Sequence, residues 1–148
     1  MRPAVPDEGD RLREIEIASK AHWGYDADFM SRFASVISMS PEYVRKHDVW
    51  VLETRGDMAG FYGLIHHEDF CELDHLWLLP RFIGSGFGRL MFQHAVQRAA
   101  EVGATRLEWE AEPKALGFYH RMGARQVRET QSALGRTVPV MALDLHQI

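Results

Sequence analysis

The chain has one cysteine, Cys71, so it can build neither an internal disulfide framework nor a CxxC metal knuckle. A lone cysteine fits a reducing compartment, and a cytoplasmic location is expected. No apolar run approaches the roughly 20 residues that cross a bilayer. The opening stretch MRPAVPDEGDRLREIE lacks the apolar core of a secretory signal, so no membrane association is expected. Excess positive charge is missing as well: 17 basic residues stand against 21 acidic ones, a net charge of −4. This disfavours a nucleic-acid partner, whose usual footprint is a broad basic face. A small anionic ligand is not excluded, because it needs only local donors. Repeats and low-complexity linkers are absent. What is present is ordinary for a folded protein, 46% hydrophobic and 26% charged. The length suits a single domain over residues 1–148 with a core that needs no staples.

The order of patterns reads as mixed α+β. MRPAV suits a short first strand. From Asp7 to about His22 a helical stripe runs through Leu12, Ile15 and Ile17. A second helix is capped by Asp26, and a short third has Ser40 as N-cap and Pro41 at its first position. DVWVLETRGDMAGFYGLIHH reads as a hairpin turning at Gly56 and Asp57, and CELDHLWLL is a further strand stopped by Pro80. Helix follows from Gly86 to Gly103, with Met91, Phe92, Ala95, Val96, Ala99 and Val102 on one face. TRLEWEAE sets Leu107, Trp109 and Ala111 against Glu108, Glu110 and Glu112, the period of a half-buried strand. A short helix between Pro113 and Gly123 leads into two closing strands, RQVRETQSAL and VPVMALDL.

The most informative stretch is LDHLWLLPRFIGSGFGRLMFQHAV, from Leu73 to Val96, where three glycines, Gly84, Gly86 and Gly88, join strand to helix. A helix N-terminus offers unpaired N–H groups and partial positive charge, and glycines let a phosphate come close. Two nucleotide fingerprints fail. GxGxxG would need a glycine where Arg89 stands, and GxxxxGK[ST] would need Lys then Ser or Thr after Gly88, where Arg89 and Leu90 stand. A turn with no ligand stays open on the glycines alone.

In full, the segment resembles the acetyl-CoA-binding motif of the GCN5-related N-acetyltransferase (GNAT) family, V-x-P-x-x-(Q/R)-G-x-G-(I/V/F)-G-x-x-L. Leu78, Pro80, Gly84, Gly86, Phe87, Gly88 and Met91 fall in register, and Ile83 departs from the usual Gln or Arg. A second family element, N-x-x-A-x-x-F-Y-x-x-x-G-F, is matched by Ala115, Phe118, Tyr119 and Gly123, with Glu112 at the asparagine place and Ala124 at the last aromatic. The resemblance implies a central, mostly antiparallel sheet with a splayed parallel strand pair and about four flanking helices. It implies acetyl-CoA as cosubstrate. Its pantetheine would lie on the backbone of Leu76, Trp77 and Leu78, and its pyrophosphate on the turn through Ile83, Gly84, Ser85, Gly86, Phe87, Gly88 and Arg89, with Glu112 also on the cofactor side. Tyr119 takes the family's general-acid position; packing alone is the other reading of that residue.

Direct transfer to an amine also needs a base. The candidates are Glu72, Asp74 and His75. Strand alternation places Glu72 and Asp74 with Leu76 and Leu78, and His75 with Leu73 and Trp77. Only one face can open to substrate, so these sets exclude each other. His66 and His67 are weaker candidates, and no metal is expected. His22, Trp23, Tyr25 and Phe29 form the expected acceptor walls, aromatic and poor in charge, or else they only close the core. Arg121, Arg125, Arg128 and Arg136 read as a solvated face. The expectation is acetyl transfer to a primary amine of a small molecule, with a peptide amine or a non-catalytic acetyl-CoA-binding module as alternatives. The last strand is compatible with pairing across a homodimer.

Overall fold

The computed structural model describes residues 1–145. One seven-stranded sheet runs through it in the order β1-β2-β3-β4-β5-β7-β6. The strands are β1 (Arg2–Pro3), β2 (Asp48–Thr54), β3 (Asp57–His66), β4 (Phe70–Leu78), β5 (Arg106–Glu110), β6 (Arg125–Gln131) and β7 (Thr137–Asp144). Five helices flank it, one more than expected: α1 (Gly9–Ala21), α2 (Ala27–Val36), α3 (Pro41–Lys46), α4 (Phe87–Glu101) and α5 (Leu116–Arg121). Their ends follow local chemistry. The Asp26 carboxylate accepts from the Phe29 N–H, and the Ser40 hydroxyl accepts from the Tyr43 N–H with Pro41 in the first turn. Gly103, at φ 88°, takes the left-handed position that ends α4.

The sheet is covered on both faces. On one, Phe92 and Ala95 of α4 and Tyr119 of α5 pack on Leu73, Leu107 and Trp109. On the other, Leu12 and Ile15 of α1 and Tyr43 and Val44 of α3 pack on Val49, Val51 and Phe61. Every strand pair is antiparallel except β4 with β5. That parallel pair holds register only from Phe70–Glu72 to Arg106–Glu108, and beyond it the strands part.

A bulge corrects the simple alternation expected of β4. Gly63 pairs with His75 and Leu64 with Leu73, so Asp74 has no partner on β3. The extra residue resets the faces. Leu73 and Leu76 both pack toward α4. Asp74 and His75 both turn toward α1 and α3, where Tyr43 lies against each. Glu72, Asp74 and His75 therefore do not form two excluding sets.

Candidate active site

The parted edge of β4 is a row of backbone groups. The Leu79 N–H donates to the Ala59 carbonyl at 2.8 Å. Gly60 and Leu78 are therefore a non-hydrogen-bonded pair, and Phe61 and Trp77 a hydrogen-bonded one. The backbone groups of Trp77 thus point into the sheet, toward β3, and those of Leu76 and Leu78 point toward the gap. Trp77, grouped with them on sequence, does not share the edge. The Leu78 carbonyl takes the Ser19 hydroxyl of α1 at 2.9 Å. The Leu76 N–H and carbonyl and the Leu78 N–H remain on that edge.

The glycine turn lies at the end of this strand, after a 3-10 turn over Pro80–Phe82. Gly84 and Gly86 both sit at φ 86°, which a side chain rarely tolerates, and a Cβ on either would meet open space. The first backbone bond into α4 runs from the Leu90 N–H to the Gly86 carbonyl. The N–H groups of Gly86, Phe87, Gly88 and Arg89 precede it and have no intrahelical acceptor. Ser85 turns its hydroxyl back to the Phe82 carbonyl, and Ile83 is 49% exposed beside the turn. Backbone in this shape, at a helix N-terminus, is suited to an anion.

Tyr119 packs among Phe92, Trp109 and Phe118 on the α4 face. Burial, then the Glu112 charge, pushes its phenol above the ordinary range, so it keeps its proton.

On the opposite face three carboxylates gather where the strands part. Asp74 accepts from the Tyr43 hydroxyl at 2.6 Å. Glu72 lies 3.1 Å from His67. Glu110 of β5 lies two residues past the last β4–β5 pair. Burial, then the charges of Glu72 and Asp74, raises its carboxyl. Sequence reading placed Glu110 only on a polar strand face; its alternation with Glu108 and Glu112 was the signal.

Deeper lies His75, 5% exposed and held near pKa 4 by burial. The Trp77 indole N–H donates to its Nδ1 at 3.0 Å, which places the neutral ring's proton on Nε2, 3.2 Å from the Ser38 hydroxyl. Taking a proton there would cost His75 the indole bond. Glu16, against it at 3.4 Å, is pushed to about 8 by burial and by Asp74.

The surroundings of the residues expected to wall the acceptor are not poor in charge. Tyr25 stacks on Phe29 at 4.0 Å. Trp23 is half-buried, and exposed His22 meets its ring edge-on. Among them stands Glu112, which holds the buried Lys20 ammonium at 2.5 Å and the Tyr25 hydroxyl at 2.5 Å. Burial alone would raise the Glu112 carboxyl; the bonds from Lys20 and Tyr25 hold it below its ordinary range. The Lys20 Nζ lies over the rings of Tyr25, Phe29 and Phe33 at 5.1, 5.8 and 5.4 Å. Arg136, read from sequence as surface, donates to the Tyr25 hydroxyl at 3.0 Å. Arg128 pairs with Glu108 at 2.9 Å, while Cys71 is free and buried. His66 and His67 pair with Asp48 and Glu72. No helix among the described residues is long and apolar enough to cross a membrane.

Comparison with known proteins places this geometry in context. A sequence model of the acetyltransferase (GNAT) family matches residues 11–124. The uncharacterized N-acetyltransferase YjgM of Escherichia coli is 27% identical over 88 residues, 55% of this chain and 53% of that protein, so the chain matches about half the length of that relative. The peptidyl-lysine N-acetyltransferase YjaB of Salmonella typhimurium is 28% identical over 119 residues, 78% of this chain and 79% of that protein. Among solved structures, the PaiA N-acetyltransferase of Thermoplasma acidophilum, in complex with coenzyme A, has the same fold at a TM-score of 0.79 and 14% identity, covering 97% of this chain and 96% of that one.

Proposed function

The chain belongs to the GNAT family of acetyltransferases, and from that premise we propose that it moves an acetyl group from acetyl-CoA to a primary amine of a small molecule, by direct transfer in a ternary complex. The observation that carries this is the parting of β4 from β5 beside a glycine turn whose helix begins with free N–H groups. The backbone of Leu76 and Leu78 would pair the pantetheine amides as an added strand. Gly84 to Arg89 would cradle the pyrophosphate, and open space beside Gly84 and Gly86 fits that use.

Acetyl-CoA supplies the activated acetyl group. The protein supplies the rest. An N–H of the parted edge polarises the thioester carbonyl. Glu110, raised by burial and then by its acidic neighbours, takes the proton of the attacking amine, and Asp74 and Glu72 favour an ammonium in the gap before that. Tyr119, kept protonated by burial, donates to the departing sulfur as the new amide bond forms and the thioester bond breaks.

A second reading, acetylation of a lysine within a protein, is favoured by the similarity to YjaB, a peptidyl-lysine N-acetyltransferase. One assay separates the readings: thiol release from acetyl-CoA with a panel of small amines and lysine peptides. Release with small amines is expected. Release with peptides alone supports the second reading. Saturable acetyl-CoA binding with no release from any acceptor would overturn transfer in favour of a binding module.

A further inference from the structure

We propose that the acceptor carries a carboxylate close to its amine, in the manner of a free amino acid, and that Arg136 selects it. The inference rests on the acetyl-transfer reading and adds the substrate class.

The charges carry it. Three cations surround the ring of Tyr25: the Lys20 and Lys114 ammoniums at 5.1 and 4.6 Å from its centroid and the Arg136 guanidinium at 5.2 Å. One carboxylate, Glu112, answers them, and Lys20 already holds it. Lys114 turns to the Trp23 carbonyl at 2.7 Å. Arg136 is the least satisfied. One of its terminal nitrogens bonds the Tyr25 hydroxyl, the other stands 3.8 Å from Glu112, and its Nε is buried without any partner. The side chain is 32% exposed while its Nε is enclosed, so the terminal Nη groups are the ones that a carboxylate from outside would meet in a charge-assisted pair.

The other end of the same face is acidic. Glu110 ends β5, and Glu112, two residues on, caps the 3-10 turn that follows, at most roughly 7 Å away at the rise of extended chain. An amine held at Glu110 and a carboxylate held beside Glu112 by Arg136 would therefore belong to a short molecule. Carboxylates at one end and an excess of cations at the other suit a zwitterion better than a simple amine or a polyamine. The cofactor's phosphates are the other source of negative charge. The glycine turn that suits them leads into α4, which packs on the opposite face of the sheet from α1, where Lys20 stands.

The test compares each of the common L-amino acids with its carboxamide as acceptor, following thiol release from acetyl-CoA. The expected result is at least one amino acid favoured roughly tenfold or more in kcat/KM over its amide, the scale of one charge-assisted pair. Arg136→Gln should erase that preference by raising the acceptor KM, leaving the acetyl-CoA KM unchanged, and Arg136→Lys should restore part of it. Equal use of acid and amide would overturn the proposal, as would an Arg136→Gln variant whose defect lies in the acetyl-CoA KM. If no amine releases thiol, transfer itself has failed, and thermal melts with CoA and the same compounds decide this point separately. Stabilisation of the wild type by an acid but not its amide, lost in Arg136→Gln, supports the carboxylate site; no difference between acid and amide overturns it.

Discussion

The two halves of the site are built from different materials. The glycine turn is made of backbone, contributed by consecutive residues from Gly84 to Arg89 and by the parted edge of β4. The acceptor face is made of side chains drawn from far along the chain. Lys20 meets Glu112 across 92 residues, and Tyr25 meets Arg136 across 111. A backbone device needs particular residues at particular local spacings, because φ and free N–H groups are local properties. A side-chain device needs only that distant positions converge, and many sequences achieve that.

Breaking the backbone half should have the largest effect. Gly86→Asp forces a side chain into φ 86° and sets a carboxylate in the cradle. Left-handed strain of about 1–2 kcal/mol and like-charge repulsion of a few more should weaken acetyl-CoA binding by roughly 10³-fold. Calorimetric titration should show this loss, while the strain lowers the melting temperature of the free protein by only a few degrees.

Breaking the side-chain half should separate turnover from cofactor affinity. Tyr119→Phe and Glu110→Gln should each lower kcat by roughly 10²-fold, the scale of one positioned acid or base, while the acetyl-CoA affinity stays within a factor of two or so of wild type. In the wild type, activity should rise with pH through a carboxylate pKa lying above the ordinary Glu value, and Glu110→Gln should remove that limb. Unchanged turnover in Tyr119→Phe would remove the phenol from the reaction.

The smallest effect sharpens the comparison by probing the buried group beneath the acceptor face. Folded Glu16 titrates near 8 against 4.5 in the open chain, so its share of stability is full below pH 4.5 and is lost as pH rises through 8. His75 acts in the opposite sense: held near 4 against 6.5, its share is present above pH 6.5 and is lost as pH falls through 4. The two slopes oppose between pH 4.5 and 6.5. From 6.5 to 8 the Glu16 slope is no longer opposed by His75, and the melting temperature should fall by about 5 °C. Glu16→Gln should flatten that decline.

The same division explains what could be read in the sequence. Pro80, the glycines, the caps at Asp26 and Ser40 and the strand alternation of TRLEWEAE are local, and the element order and the shape of the glycine turn followed from them. The bulge at Asp74 depends on how β3 pairs with β4, which no window of β4 contains, so Asp74 and His75 were wrongly set on opposite faces. Trp77 was assigned to the parted edge because edge membership depends on hydrogen-bond phase rather than residue type. Glu110 carried a readable polar alternation, but its closeness to Asp74 arises only where two strands part. Lys20 and Arg136 lie on a helix and a hairpin turn, and nothing in their own neighbourhoods marks them as partners of Glu112 and Tyr25.

The central claim is that the glycine turn and the parted strand hold acetyl-CoA. The most direct measurement is a thermal melt of the wild-type chain with acetyl-CoA, with NAD and ATP as controls. A ligand that binds only the folded state, at 100 times its dissociation constant, adds about 2.7 kcal/mol, several degrees for a domain of this size. A shift of that order with acetyl-CoA and none with NAD or ATP is the predicted result, Ile83 and Glu112 notwithstanding. No shift with acetyl-CoA, or equal shifts with all three, would contradict it.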